Sequence, residues 1–171
     1  MSKVIAGEAH AVASVSLKKS LDIPGWLKHA GEVKFRRLSD EAVLPTRAHP
    51  TDAGLDLTAV NGATVPPAGI VTFHTALSVE IPLGYAGLLY VRSSLGAQGL
   101  TLGNSVGVID SGYRGELMIK LINNSGNDAT IMAGSRIAQL LITPVALPAV
   151  VEVVEQTHSE RGDGGFGSTG E

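Results

Sequence analysis

At 171 residues the chain has the size of one domain, long enough to enclose a real core; 44% of it is hydrophobic but only 4% aromatic, so that core must be built from Val, Ile, Leu and Ala. It has no cysteine, which excludes a disulfide scaffold, a thiolate zinc site and a cysteine nucleophile together. A net charge of −3 and a pI near 5.9 argue against a broad nucleic-acid surface.

The N-terminal stretch "MSKVIAGEAHAVASVSLKKS" lacks the basic start and following apolar run of a secretory signal. No apolar run approaches membrane-spanning length, so a soluble cytoplasmic protein is expected. Residues 1–32 read as an appended arm or leader. In it "AVASVSLKKSLD" has the makings of a short helix that Pro24 and Gly25 would end, and it holds the only tryptophan, Trp26. The five histidines, His10, His29, His49, His74 and His158, lie far apart with no i, i+4 pair, which speaks against a histidine metal site.

From Val33 onward strand signals dominate. Short segments rich in Val, Ile and Leu recur between Gly, Pro or Asn turns: "VKFRRL", "GLDLTAV", "GIVTFHT", "LSVEIP", "YAGLLYVRS", "SVGVID", "GELMIKLIN", "RIAQLLITPV" and "AVVEVVEQ". This predicts an all-β sandwich or jelly roll over residues 33–156, with one brief helical stretch around "SSLGAQG". In "GELMIKLIN", Leu117, Ile119 and Leu121 share one face, and Met118, Lys120 and Ile122 the other. "RIAQLLI" is also apolar on both faces, which suggests that a partner covers the second face.

Five stretches carry polar residues suited to chemistry. "AGLDL" sets Asp56 in an apolar strand, as a turn-edge aspartate or something more. "VRSSLG" places Arg92, Ser93 and Ser94 at a strand exit, where they suit a phosphate; equally, the serines could cap the helix that follows. In "GNSVGVIDSGYRGEL", Asp110 ends one apolar strand and Tyr113 precedes the next, so the segment reads as a hairpin. Its loop joins a carboxylate, a tyrosine and bare backbone, the parts of a base-and-sugar pocket, although an ordinary Asx turn reads the same way. "SRIAQLLI" puts Gln139 on a strand, where its amide needs a partner. The fifth is the tail, "RGDGGFGSTGE".

Gly162, Gly164 and Gly167 of that tail fit G-x-G-x-x-G, but too few residues follow to form the helix this motif requires. Ser168 also stands where a P-loop lysine would be. The tail is neither motif. Its glycines expose backbone N–H groups and Arg161, Ser168 and Thr169 add donors, which suits phosphate; a disordered terminus is the plainer reading.

In this order, and ending on this tail, the five stretches resemble the homotrimeric dUTP pyrophosphatase family, over roughly residues 33–170. The resemblance implies a jelly-roll β-sandwich, a homotrimer with interfacial sites, and a flexible lid formed by residues 157–171. It implies Mg2+-dependent hydrolysis of dUTP to dUMP and pyrophosphate. That reaction limits uracil in DNA and supplies dUMP for dTMP synthesis.

It also implies roles. Asp110 activates the attacking water. Asn104 and the backbone around Val108, Ile109 and Met118 mimic base pairing with uracil on a floor too close for thymine's methyl. Tyr113 packs under the deoxyribose where a 2′-OH would collide, and Phe166 stacks on the base. Arg92, Ser93, Ser94 and Gln139 contact phosphate, as do Arg161, Gly167, Ser168 and Thr169 from the tail. Asp56 lies near metal-bound water, the magnesium being held mainly by the triphosphate.

Residues 1–32 are not explained by the family pattern and are open to a protein partner. A dUTPase-fold regulatory binding protein is therefore an alternative. So is the related dCTP deaminase, although the strand after the hairpin reads Met118-Ile119-Lys120-Leu121 without the expected glutamate, and Glu116 lies nearer the turn.

Overall fold

Segments in which apolar residues alternate with polar ones bury one face of a pleated strand, and such strands dominate residues 31–165 and 168, the part described by the computed structural model. Expectations for residues 1–30, and for Phe166, Gly167 and Thr169, lie outside the described residues.

In chain order the elements are β1 (Lys34–Arg37), β2 (Leu55–Thr58), β3 (Ala63–Val65), β4 (Ile70–Glu80), β5 (Tyr85–Val91), the single turn α1 (Ser93–Gly96), β6 (Leu100–Leu102), β7 (Gly107–Ile109), β8 (Glu116–Asn123), β9 (Ala129–Ile131) and β10 (Arg136–Pro144). One sheet runs β1-β4-β8-β6, a second β2-β10-β5-β7, and β3 and β9 form a small third. Every pairing is antiparallel. The fold is the expected all-β jelly-roll sandwich.

The core is aliphatic, as the composition requires. Leu57, Leu77, Leu100, Leu117, Ile119, Leu121, Ile137 and Leu140 are fully buried, and Phe73 is the one aromatic among the largest fully buried side chains. Along β8 the alternation holds: Leu117, Ile119 and Leu121 face inward while Met118 and Lys120 are exposed.

Four details depart from the sequence reading. "GIVTFHT" and "LSVEIP" are one continuous strand, β4, which a bulge kinks at Ala76 instead of breaking. The strands β3, β6 and β9, three residues each, are too short for periodicity to reveal. "AVVEVVEQ" lies in no strand, since no strand among the described residues pairs with it, and Val150, Val151, Val153 and Val154 are exposed. The segment around Asp110 is no hairpin: β7 pairs with β5 in one sheet and β8 with β4 and β6 in the other. The glycine-containing turn between them reads like a hairpin loop in sequence, but it joins two sheets.

One buried polar side chain ties several elements together. Asn123 is fully buried at the end of β8. Its Nδ2 donates to the carbonyls of Val65 (2.8 Å) and Asn127 (2.7 Å), and its Oδ1 accepts from the N–H and hydroxyl of Ser125 (2.9 and 2.7 Å). Removing that amide leaves buried carbonyls without donors, at roughly 1–3 kcal/mol each. Asn123→Ala should therefore lose about 3 kcal/mol in chemical denaturation, a large fraction of a typical domain's stability. A loss under about 1 kcal/mol would mean that water replaces the amide.

Candidate functional site

Two cavities gather the polar residues picked out by sequence. The first lies where the chain leaves β7 at Ile109 and enters β8 at Glu116. Within this connection the Tyr113 N–H donates to the Asp110 carbonyl (3.0 Å), closing a turn. The Arg114 guanidinium clamps the turn from outside, its Nη1 donating to the carbonyls of Ser111 and Tyr113, both at 2.7 Å. The Tyr113 hydroxyl donates to the Glu116 carbonyl at 2.9 Å. Its ring lies so close over Gly115 that a Cβ there would come within 2.6 Å of Cζ, so any side chain at 115 would have to push the ring aside.

This cavity encloses about 520 Å³ and is lined by Asn104, Val108, Ile109, Asp110, Tyr113 and Met118, together with Ile70, Glu116 and Lys120. Six expected site residues thus meet in one place. Val108 and Met118 are 62% and 47% exposed, a high value for apolar side chains, and they give the cavity apolar walls. No hydrogen bond or ion pair engages the Asp110 carboxylate among the described residues, which leaves it free to accept a proton or a hydrogen bond. Asn104 rides on a tight turn in which Ser105 adopts a left-handed φ of 59° and the Val106 N–H reaches the Asn104 carbonyl at 2.6 Å.

The second cavity, about 380 Å³, is lined by His49, Asp52, Asp56, Arg92 and Gln139 among others, and shares no lining residue with the first. Register explains the grouping, because Gln139 of β10 lies opposite both Asp56 of β2 and Tyr90 of β5. Asp56 is buried, and its carboxylate is gripped by cations. Arg136 Nη1 donates to Oδ2 at 2.9 Å, Arg92 Nε lies 3.0 Å from Oδ1, and Gln139 Nε2 is at 3.5 Å. The Arg92 Nε–H is not aimed at the oxygen, so that contact is an ion pair without a hydrogen bond. Gly54 packs on the Gln139 amide, leaving only 3.0 Å from a Cβ position to its Oε1.

Beside them the His49 N–H donates to the Asp52 carboxylate at 2.9 Å and holds that carboxyl below its usual value. Because the folded value is depressed, whatever Asp52 adds to loop stability is present above its unfolded value. It is lost as pH falls through the folded one. Among the described residues no three His, Asp or Glu side chains converge on a metal position.

Ser93 and Ser94 follow Arg92 as the first residues of α1 and are exposed. The capping alternative fails, since the N-cap is Arg92 and no side-chain capping bond forms, so both hydroxyls remain available. Of the expected tail residues, the two that are described, Arg161 and Ser168, line neither cavity. Arg161 Nε donates to the Gly164 carbonyl (2.9 Å) and the Ser168 hydroxyl to the Gly165 carbonyl (2.8 Å), bonds local to the tail.

With this geometry in view, comparisons with known proteins converge. The dUTPase family model matches residues 40–170. The chain belongs to the dUTPase family. It is 44% identical over 140 residues to a deoxyuridine 5'-triphosphate nucleotidohydrolase of Thermobifida fusca, covering 81% of this chain and 78% of that one. An Arabidopsis thaliana protein of the same name is 42% identical over 137 residues, 80% and 82% covered. Among solved structures, a point mutant of the Staphylococcus bacteriophage 80alpha dUTPase with dUpNHpp superposes with a TM-score of 0.75 at 32% identity, over 82% of this chain and 99% of that one. A mutant dUTPase from phage phi11 of S. aureus, with a structural Mg(II) ion, superposes at 0.67 and 30% identity, over 73% and 98%.

Five polar residues at or beside the two cavities of this dUTPase-family chain had no site role in the sequence reading: His49, Asp52, Glu116, Lys120 and Arg136, the last of which grips Asp56. Arg136 immediately precedes "IAQLLI", and a cation three positions before an apolar-strand glutamine was the available signal. The Asp56 cluster generates a prediction. Asp56→Asn keeps the shape but leaves two guanidiniums facing a neutral amide, and breaking a buried pair from one side costs about 3–5 kcal/mol, less here because Arg136 is half exposed. Thermal unfolding should fall by several degrees, about 2 kcal/mol in free energy. An unchanged melting temperature would show that solvent already screens the pair.

Proposed function

We propose that the chain hydrolyses dUTP to dUMP and pyrophosphate at sites shared between the subunits of a homotrimer. The observation that carries this reading is the 520 Å³ cavity in which the unpartnered Asp110 carboxylate stands beside Asn104, Val108, Tyr113 and Met118. The amide of Asn104 and the strand backbone around Ile109 offer fixed donors and acceptors to a pyrimidine edge. The flat face of Tyr113, held through its hydroxyl, suits a sugar without a 2′-OH, and steric exclusion discriminates more strongly than missing attraction.

Asp110 then accepts a proton from water as the water oxygen bonds to the α-phosphorus and the bond to the pyrophosphate oxygen breaks. Arg92, Ser93, Ser94 and Gln139, from a neighbouring copy, take the phosphates. The tail, residues 157–171, closes with Arg161, Gly167, Ser168 and Thr169 on the phosphates and Phe166 on the base. Two observations favour sharing between copies: the base-side and phosphate-side residues of one chain line separate cavities, and the described tail residues Arg161 and Ser168 line neither.

The donors present suit a magnesium ion held by phosphate oxygens and water. Among the described residues no protein cage is at hand, and Asp56 already faces two guanidiniums, which leaves it at most an indirect contact through water. When bound, the ion offsets charge on the triphosphate.

Pyrophosphate release from dUTP, dCTP, dTTP and UTP, with magnesium and with a chelator, tests the proposal. Release from dUTP alone, lost on chelation, is the expected result. Ammonia from dCTP would instead indicate a deaminase. Asp110→Asn should lower kcat by about 10²–10⁴-fold, the usual contribution of a general base, while the affinity for a non-hydrolysable dUTP analogue stays within a few fold. Turnover near that of the parent chain would remove Asp110 from this role.

A further inference from the structure

Glu116 is the first residue of β8 and lines the first cavity, yet its carboxylate is committed elsewhere. The register of β4 and β8 runs His74↔Met118 and then Ser78↔Glu116, so residues 75–77 of β4 stand against Leu117 alone. This bulge places Ala76 at a left-handed φ of 51°, which costs a residue with a Cβ roughly 1–2 kcal/mol. Glu116 closes it. Its Oε1 accepts from the Ala76 N–H at 2.8 Å and its Oε2 lies 3.0 Å from His74 Nδ1, while the Thr75 hydroxyl donates to the Leu117 carbonyl at 2.7 Å. The main-chain carbonyl of the same glutamate accepts the Tyr113 hydroxyl at 2.9 Å.

We infer that Glu116 is a positioning residue for sugar selection, fixing the Tyr113 ring by tying the start of β8 to the β4 bulge. The inference rests on the reading that the first cavity takes a deoxynucleotide. A strand's first residue frays easily, and opposite a bulge the ladder holds it less firmly. The side chain supplies what the ladder does not: two contacts to β4, set close to a third that ends on the phenol. Tyr113 is thereby anchored through Glu116 to residues about forty positions earlier, and its ring stays over Gly115 on one wall of the cavity. His74 is the second arm of the anchor.

The test compares kcat and KM for dUTP and for UTP in the full chain, its Glu116→Ala, Glu116→Gln, His74→Ala and Tyr113→Ala variants, with melting temperatures alongside. Glu116→Ala should raise the KM for dUTP about tenfold with kcat down less than about threefold, and should cut the preference for dUTP over UTP about tenfold, since loss of registration falls on binding and selectivity. Glu116→Gln should hold that preference within about threefold, because its amide oxygen still accepts from Ala76 and its nitrogen donates toward His74.

A lower melting temperature with an unchanged dUTP/UTP preference in Glu116→Ala, while Tyr113→Ala shifts it, overturns the proposal. An unchanged preference in Tyr113→Ala refutes the nucleotide reading of the cavity and takes the proposal with it. Should Glu116→Ala fail to fold, His74→Ala decides: removal of one arm should lower the preference about threefold, and no change overturns the proposal.

Discussion

Between Ile109, the last residue of β7, and Glu116, the first of β8, the chain passes from one sheet to the other in six residues. Packed sheets lie roughly 10 Å apart, and six residues can span about 20 Å, so the crossing has length to spare. The surplus is taken up by a turn, which the Tyr113 N–H and Arg114 guanidinium close. A carboxylate and an aromatic ring are thus set three residues apart at an edge where two sheets diverge. Neither sheet alone could present them so. Asn104, Val108 and Met118 reach the same space because the strands or turns that carry them flank this crossing.

The second cavity follows a different logic, that of charge. A buried carboxylate among two guanidiniums and an amide holds those cationic groups in place before any ligand arrives, at the cost of desolvating Asp56. In a phosphate-binding role such an arrangement lowers the ordering cost on binding, since the arginines already have fixed directions. It also explains why the acid of "AGLDL" and the glutamine of "RIAQLLI" belong together: they face each other in the β2–β10 register.

Legibility in the sequence tracked how local the determining interaction is. The period-two pattern of "GELMIKLIN" is a property of eight consecutive residues and gave β8 with its buried face intact. The short α1 turn was equally local. Wherever the answer lay in a partner far along the chain, reading failed or misled. Ala76 looks like an ordinary strand residue, and the carboxylate that closes its bulge comes from residue 116, forty positions on. "SVGVIDSGYRGEL" has every local mark of a hairpin, and only the competing pairings of β7 with β5 and β8 with β4 send the two strands to different sheets. The one local mark of Arg136, its place just before "IAQLLI", does not name its partner eighty positions away. The candidate site residues were singled out through family resemblance more than through physics, because single aspartates and serines carry little information alone.

The segment after β10 sets the last constraint. Val150 and Val154 are fully exposed and Val151 and Val153 largely so, on a stretch with strand-like composition and no pairing among the described residues. Four valines in water forgo several kcal/mol of burial, at roughly 1.5–3 kcal/mol each when fully covered. The apolar side chains of Ile70, Val108 and Met118 are also exposed around the first cavity. A chain that leaves a β-prone segment unpaired and its candidate site apolar and open is physically incomplete by itself. In the proposed homotrimer one remedy serves both needs. A neighbouring copy gives the valine segment strands to join, and the short stretch from there to residue 157 then carries the tail away from its own core and toward a site that another copy builds.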